Sequence, residues 1–305
     1  MNGERELPNS LHGVFAAAVT PLTPDFVPDL DAIPTLLDFL ARRGCHGALL
    51  LGTTGEGPSF SLDQRLTVYQ AALEIRETHP DFQLLAGTGT PSLDETIQIT
   101  RAAFDLGFSG VVVLPPYYFR SVEEEGLFSW FAALIDQAVP RDGWLLAYHI
   151  PPLTGVPFSL DLLSRLKDAF PEQFAGLKDS SGDPIFASQL GTRFGSDLAV
   201  FSGNDRLFSL ALEQYAAGCI TAPANIISPL LRSLWDSFES GSPDPQIQHQ
   251  ITTARDILER YQPAPALLKG LLASCFGFPR WPVCPPLTPF PSSVEEQVLT
   301  LLQLA

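Results

Sequence analysis

Short apolar runs alternate with amphipathic segments along most of the chain. Each run is apolar on both faces of an extended chain and ends at turn-forming residues, and the segment after it has apolar residues at helical spacing. Residues 14–19, for example, are apolar and stop at Thr20 and Pro21, and residues 29–43 follow with the spacing of an amphipathic helix. The pattern predicts a regular alternation of strands and helices.

Eight of these runs are predicted strands, at residues 14–19, 47–51, 83–87, 110–114, 144–148, 174–178, 199–202 and 218–221. Strands that are apolar on both faces, each followed by a helix, require a parallel sheet covered by helices. Eight such units predict an α/β fold, the closed (β/α)8 TIM barrel. A doubly wound sheet is the competing arrangement, but no G-x-G-x-x-G motif follows the first strand, which removes its usual dinucleotide signature.

Serine residues mark the predicted starts of three helices. Each serine is followed three positions later by Gln or Glu, which is the spacing of a capping box. The three pairs are Ser61 with Gln64, Ser92 with Glu95, and Ser121 with Glu124. A further helix is predicted at residues 206–217, between the seventh and eighth strands.

The pattern changes after about residue 234. A helix breaker at residues 241–245 is followed by predicted helices at 247–261, 266–275 and 293–304, and by no further strand. We therefore expect a barrel domain at residues 11–238 that carries the active site, and a C-terminal helical appendage at residues 239–305.

Net charge and hydropathy limit the classes of molecule that the protein is expected to bind. The net charge is −16 and no basic stripe occurs, which argues against nucleic acid or an anionic membrane as a partner. No apolar run approaches the length of a membrane-spanning helix, and the N-terminus lacks the apolar core of a signal peptide, so we expect a soluble cytoplasmic protein. No CxxC or HExxH spacing occurs, which predicts buried thiols and no metal site. The cysteines are Cys45, Cys219, Cys275 and Cys284.

Lys178 ends the sixth predicted strand, just before the turn-forming Ser180-Ser181-Gly182. In a closed parallel barrel, a side chain at the C-terminal end of a strand points into the region where such barrels carry out chemistry. A desolvated amine there is a nucleophile for a ketone. The ordinary alternative is a solvated charge on an apolar stem, and other strand ends are needed to choose between the two.

Residues with reactive side chains also lie at the ends of several other predicted strands. Residues 52–56, Gly-Thr-Thr-Gly-Glu, follow the second strand and can present backbone N–H groups and hydroxyls to a small anion. Tyr117 and Tyr118 follow the fourth strand, and Tyr148 ends the fifth, where a phenol could transfer a proton. Residues 202–206, Ser-Gly-Asn-Asp-Arg, end the seventh strand. Each of these features also has an ordinary explanation. Residues 52–56 could form a common turn after a strand, the tyrosines could simply pack in the core, and Arg206 could be a surface charge.

Taken together, the strand ends resemble one family, the pyruvate-type Schiff-base lyases that include dihydrodipicolinate synthase and N-acetylneuraminate lyase. The resemblance extends along nearly the whole chain in order and spacing. It rests on residues 52–56, Pro116-Tyr117-Tyr118, Tyr148-His149-Ile150-Pro151 with Thr154-Gly155, and Gly176-Leu177-Lys178-Asp179.

The resemblance implies a role for each matching residue. Lys178 is similar to the lysine that forms a Schiff base with a 2-oxo acid, and Tyr148 to the phenol that relays protons. Thr53 and Tyr118 would assist, Tyr118 from across a subunit interface, and Thr53 with Thr54 would bind the carboxylate of the 2-oxo acid. The backbone at Gly203 and Ile220 would line the site. The family implies a homo-oligomer, a dimer or typically a tetramer, without metal or organic cofactor.

Four positions depart from the family pattern. Leu153 stands where dihydrodipicolinate synthases carry an arginine for the aldehyde's carboxylate, and this disfavours their reaction. Asp205-Arg206 replaces the sugar-binding Asp-Glu pair of the sialic-acid lyases, and Ala222 replaces a serine. His149 stands where many relatives have asparagine, and the sequence assigns it no role.

Three functional hypotheses follow. The first is a class I lyase or aldolase that makes or breaks a C–C bond in a 2-oxo acid. Either Arg206 faces the cavity and binds an anionic tail of the substrate, or the substrate is a different 2-oxo acid such as a 2-keto-3-deoxy sugar acid. The second is a 4-hydroxy-tetrahydrodipicolinate synthase. The third is a non-catalytic relative that binds a 2-oxo acid, which the intact Lys178, Tyr148 and Thr53 disfavour.

Overall fold

The computed structural model describes residues 11–303. Its eight strands form a closed parallel barrel in chain order, β1 to β8, surrounded by helices. The strands are β1 (Gly13–Ala17), β2 (Gly47–Leu50), β3 (Gln83–Gly87), β4 (Gly110–Val113), β5 (Trp144–His149), β6 (Phe174–Asp179), β7 (Ala199–Ser202) and β8 (Gly218–Thr221). The predicted (β/α)8 fold is confirmed.

The described residues pack as two compact units, residues 11–13 with 85–220, and residues 14–84 with 221–303. Strand residues in both are almost all buried, because each strand is apolar on both faces. The helices are α1 (Ala32–Arg42), α2 (Leu62–Ala72), α3 (Ile75–Thr78), α4 (Leu93–Asp105), α5 (Glu124–Ala138), α6 (Pro151–Thr154), α7 (Leu160–Ala169), α8 (Pro184–Phe194), α9 (Phe208–Glu213), α10 (Ala224–Glu239), α11 (Pro245–Glu259), α12 (Ala264–Phe276) and α13 (Ser292–Leu302).

The three predicted helix starts have different outcomes. The capping box of α2 is confirmed in both directions between Ser61 and Gln64. Ser92 accepts the Glu95 N–H at the start of α4. The predicted cap at Ser121 is wrong, because α5 begins after Glu123, which makes no side-chain cap bond. Acidic residues in the first turn of α5 interact favourably with the helix dipole, so this start does not depend on a serine.

The helix predicted at residues 206–217 is also shorter than expected. Residues Asp205–Leu207 form a 3-10 turn, and α9 ends at Glu213. Tyr215 has a φ of 65°, a left-handed conformation that a helix cannot contain. The sequence pattern did not indicate the short helix α6, which starts at two prolines and ends at Thr154, just before Gly155. Gly155 is also left-handed, with a φ of 67°.

The C-terminal appendage is helical, as predicted. Helices α11, α12 and α13 match the three predicted segments within a few residues, and residue 304 of the last prediction lies outside the described residues. The division into domains at 11–238 and 239–305 stays a prediction, and its residues 304–305 are likewise outside the described part. Residues 1–10 also lie outside the described part, so the expectation about a signal peptide falls on residues that the structure does not describe.

The cysteines are free thiols, as predicted, and Cys45, Cys219 and Cys284 are buried. The prediction of a buried thiol is wrong for Cys275, which is half-buried near the end of α12. Within residues 11–303, no helix combines the length and the apolar character that crossing a bilayer requires.

Candidate active site

Tyr148 and Lys178 lie side by side at the ends of β5 and β6. The parallel register pairs Tyr148 with Lys178 and His149 with Asp179. Both side chains are buried, with 4% of Tyr148 and 3% of Lys178 exposed. Lys178 Nζ lies 4.1 Å from the centroid of the Tyr148 ring, so the amine rests on the ring face. Two of the predicted catalytic residues are therefore in direct contact.

No carboxylate pairs with Lys178 among residues 11–303. Asp179 is next to it in sequence, but successive strand residues point to opposite faces, and Asp179 Oδ1 accepts the Ser181 N–H at 2.9 Å. Burial raises the pKa of the Asp179 carboxyl. The amine of Lys178 is therefore available for attack on a carbonyl group rather than held in a salt bridge.

His149 faces away from Lys178 and packs in the layer between strand and helices. Its Nδ1 accepts the backbone N–H of Phe158 at 3.0 Å, and its ring stacks on Phe186 with centroids 4.5 Å apart. Burial lowers the pKa of His149 to about 4. The ring is therefore neutral near pH 7 with its proton on Nε2. The hydrogen bond from Phe158 to His149 therefore connects the segment after β5 to the strand that carries Tyr148.

Gly203 fits closely against the loop that follows Lys178. Its N–H donates to the Asp179 carbonyl at 2.7 Å, and a Cβ at this position would come within 1.9 Å of Ser180 Oγ. A larger residue here would require the Ser180 hydroxyl to move, so glycine lets the chain after β7 lie close to the end of β6. Asp205 and Arg206 follow in the 3-10 turn, where Asp205 is buried and Arg206 is half-buried. Ile220 is buried in β8.

Tyr118 and Leu153 are exposed. Tyr118 is 75% exposed and makes an edge contact with the ring of Phe119, with centroids 5.2 Å apart. Leu153 is 57% exposed on α6. Adjacent exposed aromatic residues are typical of surfaces that contact another protein.

Thr53 and Thr54 lie in the loop after β2, in the other compact unit. Thr54 is buried and Thr53 is half-buried. The loop is tightly built, since Thr20 Oγ1 donates to the Gly55 carbonyl at 2.7 Å and a Cβ on Gly57 would come within 2.0 Å of the Leu51 carbonyl oxygen. The hydroxyls that were predicted to bind a carboxylate therefore sit on a rigid segment.

Two features of the site region were missed at the sequence level. Glu56, in the same loop, forms a buried ion pair with Lys269 of α12. The sequence does contain a signal for this ion pair, because Lys269 is the only charged residue of helix α12. The second feature is Arg120, whose side chain packs on Gly155: a Cβ there would lie 2.8 Å from Arg120 Cδ. Arg120 has no ion-pair partner within the described part of the chain.

Known proteins resemble this chain over most of its length. An uncharacterized DapA-like lyase of Chloroflexus aurantiacus is 40% identical over 261 residues, 85% of each chain. A 4-hydroxy-tetrahydrodipicolinate synthase of Corynebacterium urealyticum is 34% identical over 249 residues, 82% of this chain and 79% of the relative. A solved dihydrodipicolinate synthase of Acinetobacter baumannii, complexed with pyruvate, superimposes with a TM-score of 0.87 at 26% identity, covering 96% of this chain and 98% of that one.

The barrel and these relatives define the class of the protein, a lyase built on a (β/α)8 fold. The model of the Dihydrodipicolinate synthetase family matches residues 10–305, and the chain belongs to that family.

Proposed function

We propose that this protein is a class I lyase that binds pyruvate or a related 2-oxo acid as a Schiff base on Lys178, and makes or breaks a C–C bond of that acid. The observation that carries the proposal is the buried Lys178 amine, unpaired with any carboxylate of the described chain, 4.1 Å from the Tyr148 ring centroid. Pyruvate in the related Acinetobacter baumannii synthase supports the choice of ligand.

The chemistry needs an amine, a proton relay and an anion site. The Lys178 amine attacks C2 of the 2-oxo acid, and the resulting carbinolamine loses water when the Tyr148 phenol protonates the departing hydroxyl. The protonated imine then withdraws electrons from the C3–C4 bond, which breaks as the Tyr148 phenolate takes the proton of the C4 hydroxyl, so that an aldehyde is released and an enamine remains. Protonation of the enamine at C3 and hydrolysis of the imine return the free lysine. In the synthetic direction, enamine C3 attacks the aldehyde instead.

The remaining roles follow the family resemblance. Thr53 and Thr54 hold the substrate carboxylate with hydroxyl and N–H groups, and Thr53 extends the proton relay. Gly203 and Ile220 line the site with backbone atoms. The exposed Tyr118 contributes to the relay of a neighbouring subunit in a homo-oligomer, a dimer or tetramer, which its exposure supports.

Leu153 and Arg206 favour a hydroxylated 2-oxo acid, such as a 2-keto-3-deoxy sugar acid, as the substrate. An exposed leucine after β5 cannot form the paired hydrogen bonds by which arginine binds a carboxylate. Arg206, half-buried after β7, provides a cation for an anionic tail, and the adjacent Asp205 stands at the position of the sugar-binding aspartate of the sialic-acid lyases.

Arg120 favours a second candidate, 4-hydroxy-tetrahydrodipicolinate synthase. Its side chain lies on Gly155, two residues beyond Leu153, and it has no ion-pair partner among residues 11–303. A guanidinium at this position could bind the carboxylate of an aldehyde substrate in place of an arginine at 153. The printed function of the Corynebacterium urealyticum relative supports this candidate.

Borohydride trapping tests the formation of a Schiff base on Lys178, the step that both candidate reactions share. The chain has three lysines, Lys167, Lys178 and Lys269, so peptide mapping after incubation with pyruvate and borohydride locates the adduct without ambiguity. We expect modification at Lys178, its loss in Lys178→Arg, and its retention in Lys167→Arg, the control. An unmodified protein under conditions that label a known family member would favour the non-catalytic hypothesis. Assays of sugar-acid cleavage and of the synthase reaction then separate the two substrates.

A further inference from the structure

A cavity of about 550 Å³ lies in the unit formed by residues 14–84 and 221–303, and takes no part in the proposed chemistry. Its apolar wall includes Ile226, Leu230, Ile257 and Leu301, and Arg43 also lines it. This volume lies within the range of small-molecule binding sites, which combine a mostly apolar wall with a few placed polar groups.

Arg43 is the cation of this cavity wall. Its guanidinium carbon lies 4.6 Å from the centroid of the Phe276 ring and 5.1 Å from that of Phe39, so two aromatic rings fix its position. Nη2 donates to the Ile226 carbonyl at 2.7 Å, whereas the buried Nε has no hydrogen-bond partner in the described chain.

The charge of Arg43 is not neutralised by any carboxylate of residues 11–303. Arg232 and Arg255, in the same compact unit, differ in this respect, since they pair with Asp236 and Glu259. A half-buried cation normally has an anionic partner because desolvation of an unpaired charge costs free energy. The chain has a net charge of −16, yet no carboxylate of residues 11–303 lines this cavity.

We propose that this cavity, the Arg43 cavity, binds a small carboxylate with an apolar body. The carboxylate accepts hydrogen bonds from the Arg43 guanidinium, and the apolar body covers Ile226, Leu230 and Ile257. The aromatic rings hold the guanidinium in place before the ligand arrives, which reduces the entropy lost on binding. The site is independent of the proposed Schiff-base chemistry, because none of its residues belongs to the proposed catalytic machinery.

Calorimetric titration with octanoate tests the proposal, with octanol as the uncharged probe of matched length. Saturating pyruvate is present throughout, so that the probe cannot report on the proposed catalytic site. We expect one saturable octanoate site in the full chain, at least tenfold weaker binding in Arg43→Gln, and unchanged binding in Arg193→Gln, which alters an exposed arginine. Octanol binding should be weaker than octanoate binding and insensitive to Arg43→Gln.

A second variant tests the apolar wall. Leu230→Trp fills the cavity without changing Arg43 and should abolish octanoate binding; circular dichroism and the midpoint of thermal unfolding verify that each variant folds. The proposal is overturned if the full chain does not bind octanoate saturably, or if Arg43→Gln and the wild-type protein bind it equally.

Discussion

Lys269 Nζ lies 2.5 Å from Glu56 Oε1 in an ion pair that is fully buried. Glu56 Oε2 also accepts the Cys284 N–H at 2.7 Å, and Lys269 Nζ donates to the Pro282 carbonyl at 2.7 Å. Both charges are therefore satisfied by several hydrogen bonds, which is the condition under which a buried pair is tolerated. The pair joins α12 and the proline-rich segment after it to the loop that carries Thr53 and Thr54.

Replacing one partner of this pair should destabilise the protein strongly. Lys269→Met leaves the Glu56 carboxylate buried and uncompensated, and we expect the free energy of unfolding to fall by about 3–5 kcal/mol. Urea unfolding followed by circular dichroism measures the change. Lys167→Met is the control, since the Lys167 amine donates to the backbone carbonyls of Pro171 and Phe174 and forms no ion pair within residues 11–303. A loss below about 1 kcal/mol for Lys269→Met would contradict this account of the ion pair.

Lys178 should behave in the opposite way. It is buried but has no carboxylate partner in the described chain, so Lys178→Met removes a buried amine without leaving another charge uncompensated. We expect an unchanged or higher free energy of unfolding, together with a fall in kcat of at least about 10³-fold. Unfolding curves and steady-state kinetics on the same preparations measure both quantities. Retained activity in Lys178→Met would rule out the Schiff-base mechanism.

Tyr148→Phe should separate the two functions of the Tyr148 side chain. The phenyl ring keeps the face on which Lys178 Nζ rests, whereas the hydroxyl that transfers protons is lost. We expect kcat to fall by about 10²–10⁴-fold, the typical contribution of general acid–base catalysis, with little change in thermal stability. Tyr148→Leu, which also removes the ring, is the comparison variant. Equal kcat in Tyr148→Phe and the wild-type protein would exclude a proton relay through the phenol.

His149 should make stability depend on pH. Its pKa is about 4 in the folded protein because of burial, against about 6.5 in an unfolded chain, so the unfolded state binds more protons between these values. The free energy of unfolding therefore falls as pH falls from about 6.5 to about 4, by on the order of 3 kcal/mol from this group. Burial of Asp179 raises its pKa and opposes this trend at the acidic end.

His149→Gln isolates this contribution, because glutamine can accept the Phe158 N–H but does not titrate. The difference in free energy of unfolding between wild-type protein and His149→Gln should change across pH 4 to 6.5, as urea titrations at several pH values will measure. His249→Gln, at an exposed histidine, is the matched control and should give no such change. A pH-independent difference for His149→Gln would show that His149 titrates normally.

The strand ends were predictable because their signal is local. An apolar run that stops at Lys178 before a Ser-Ser-Gly turn fixes the end of β6, and β5 ends at His149, one residue after Tyr148. Contacts between distant residues carry no such signal. Glu56 and Lys269 are 213 positions apart, and only the folded chain brings the single lysine of α12 to that carboxylate.

Local patterns also failed where two start signals competed. Ser121 had capping spacing, but the acidic residues at 123–125 start α5 later. The helix predicted at residues 206–217 ends early because Tyr215 adopts a left-handed conformation. The pattern of apolar and polar side chains does not indicate such a conformation. His149 gave no sequence signal for its position, since its partners Phe158 and Phe186 belong to later segments.

Arg206 and Arg120 should distinguish the two candidate substrates. If a hydroxylated sugar acid is the substrate, Arg206→Ala raises KM for that acid by about 10-fold or more, because a charge-assisted hydrogen bond contributes about 1.5–3 kcal/mol. Arg120→Ala then leaves KM unchanged. If the aldehyde of the 4-hydroxy-tetrahydrodipicolinate synthase reaction is the substrate, Arg120→Ala raises its KM and Arg206→Ala has little effect. Pyruvate KM serves as the internal control, and unchanged constants in both variants would remove both arginines from substrate recognition.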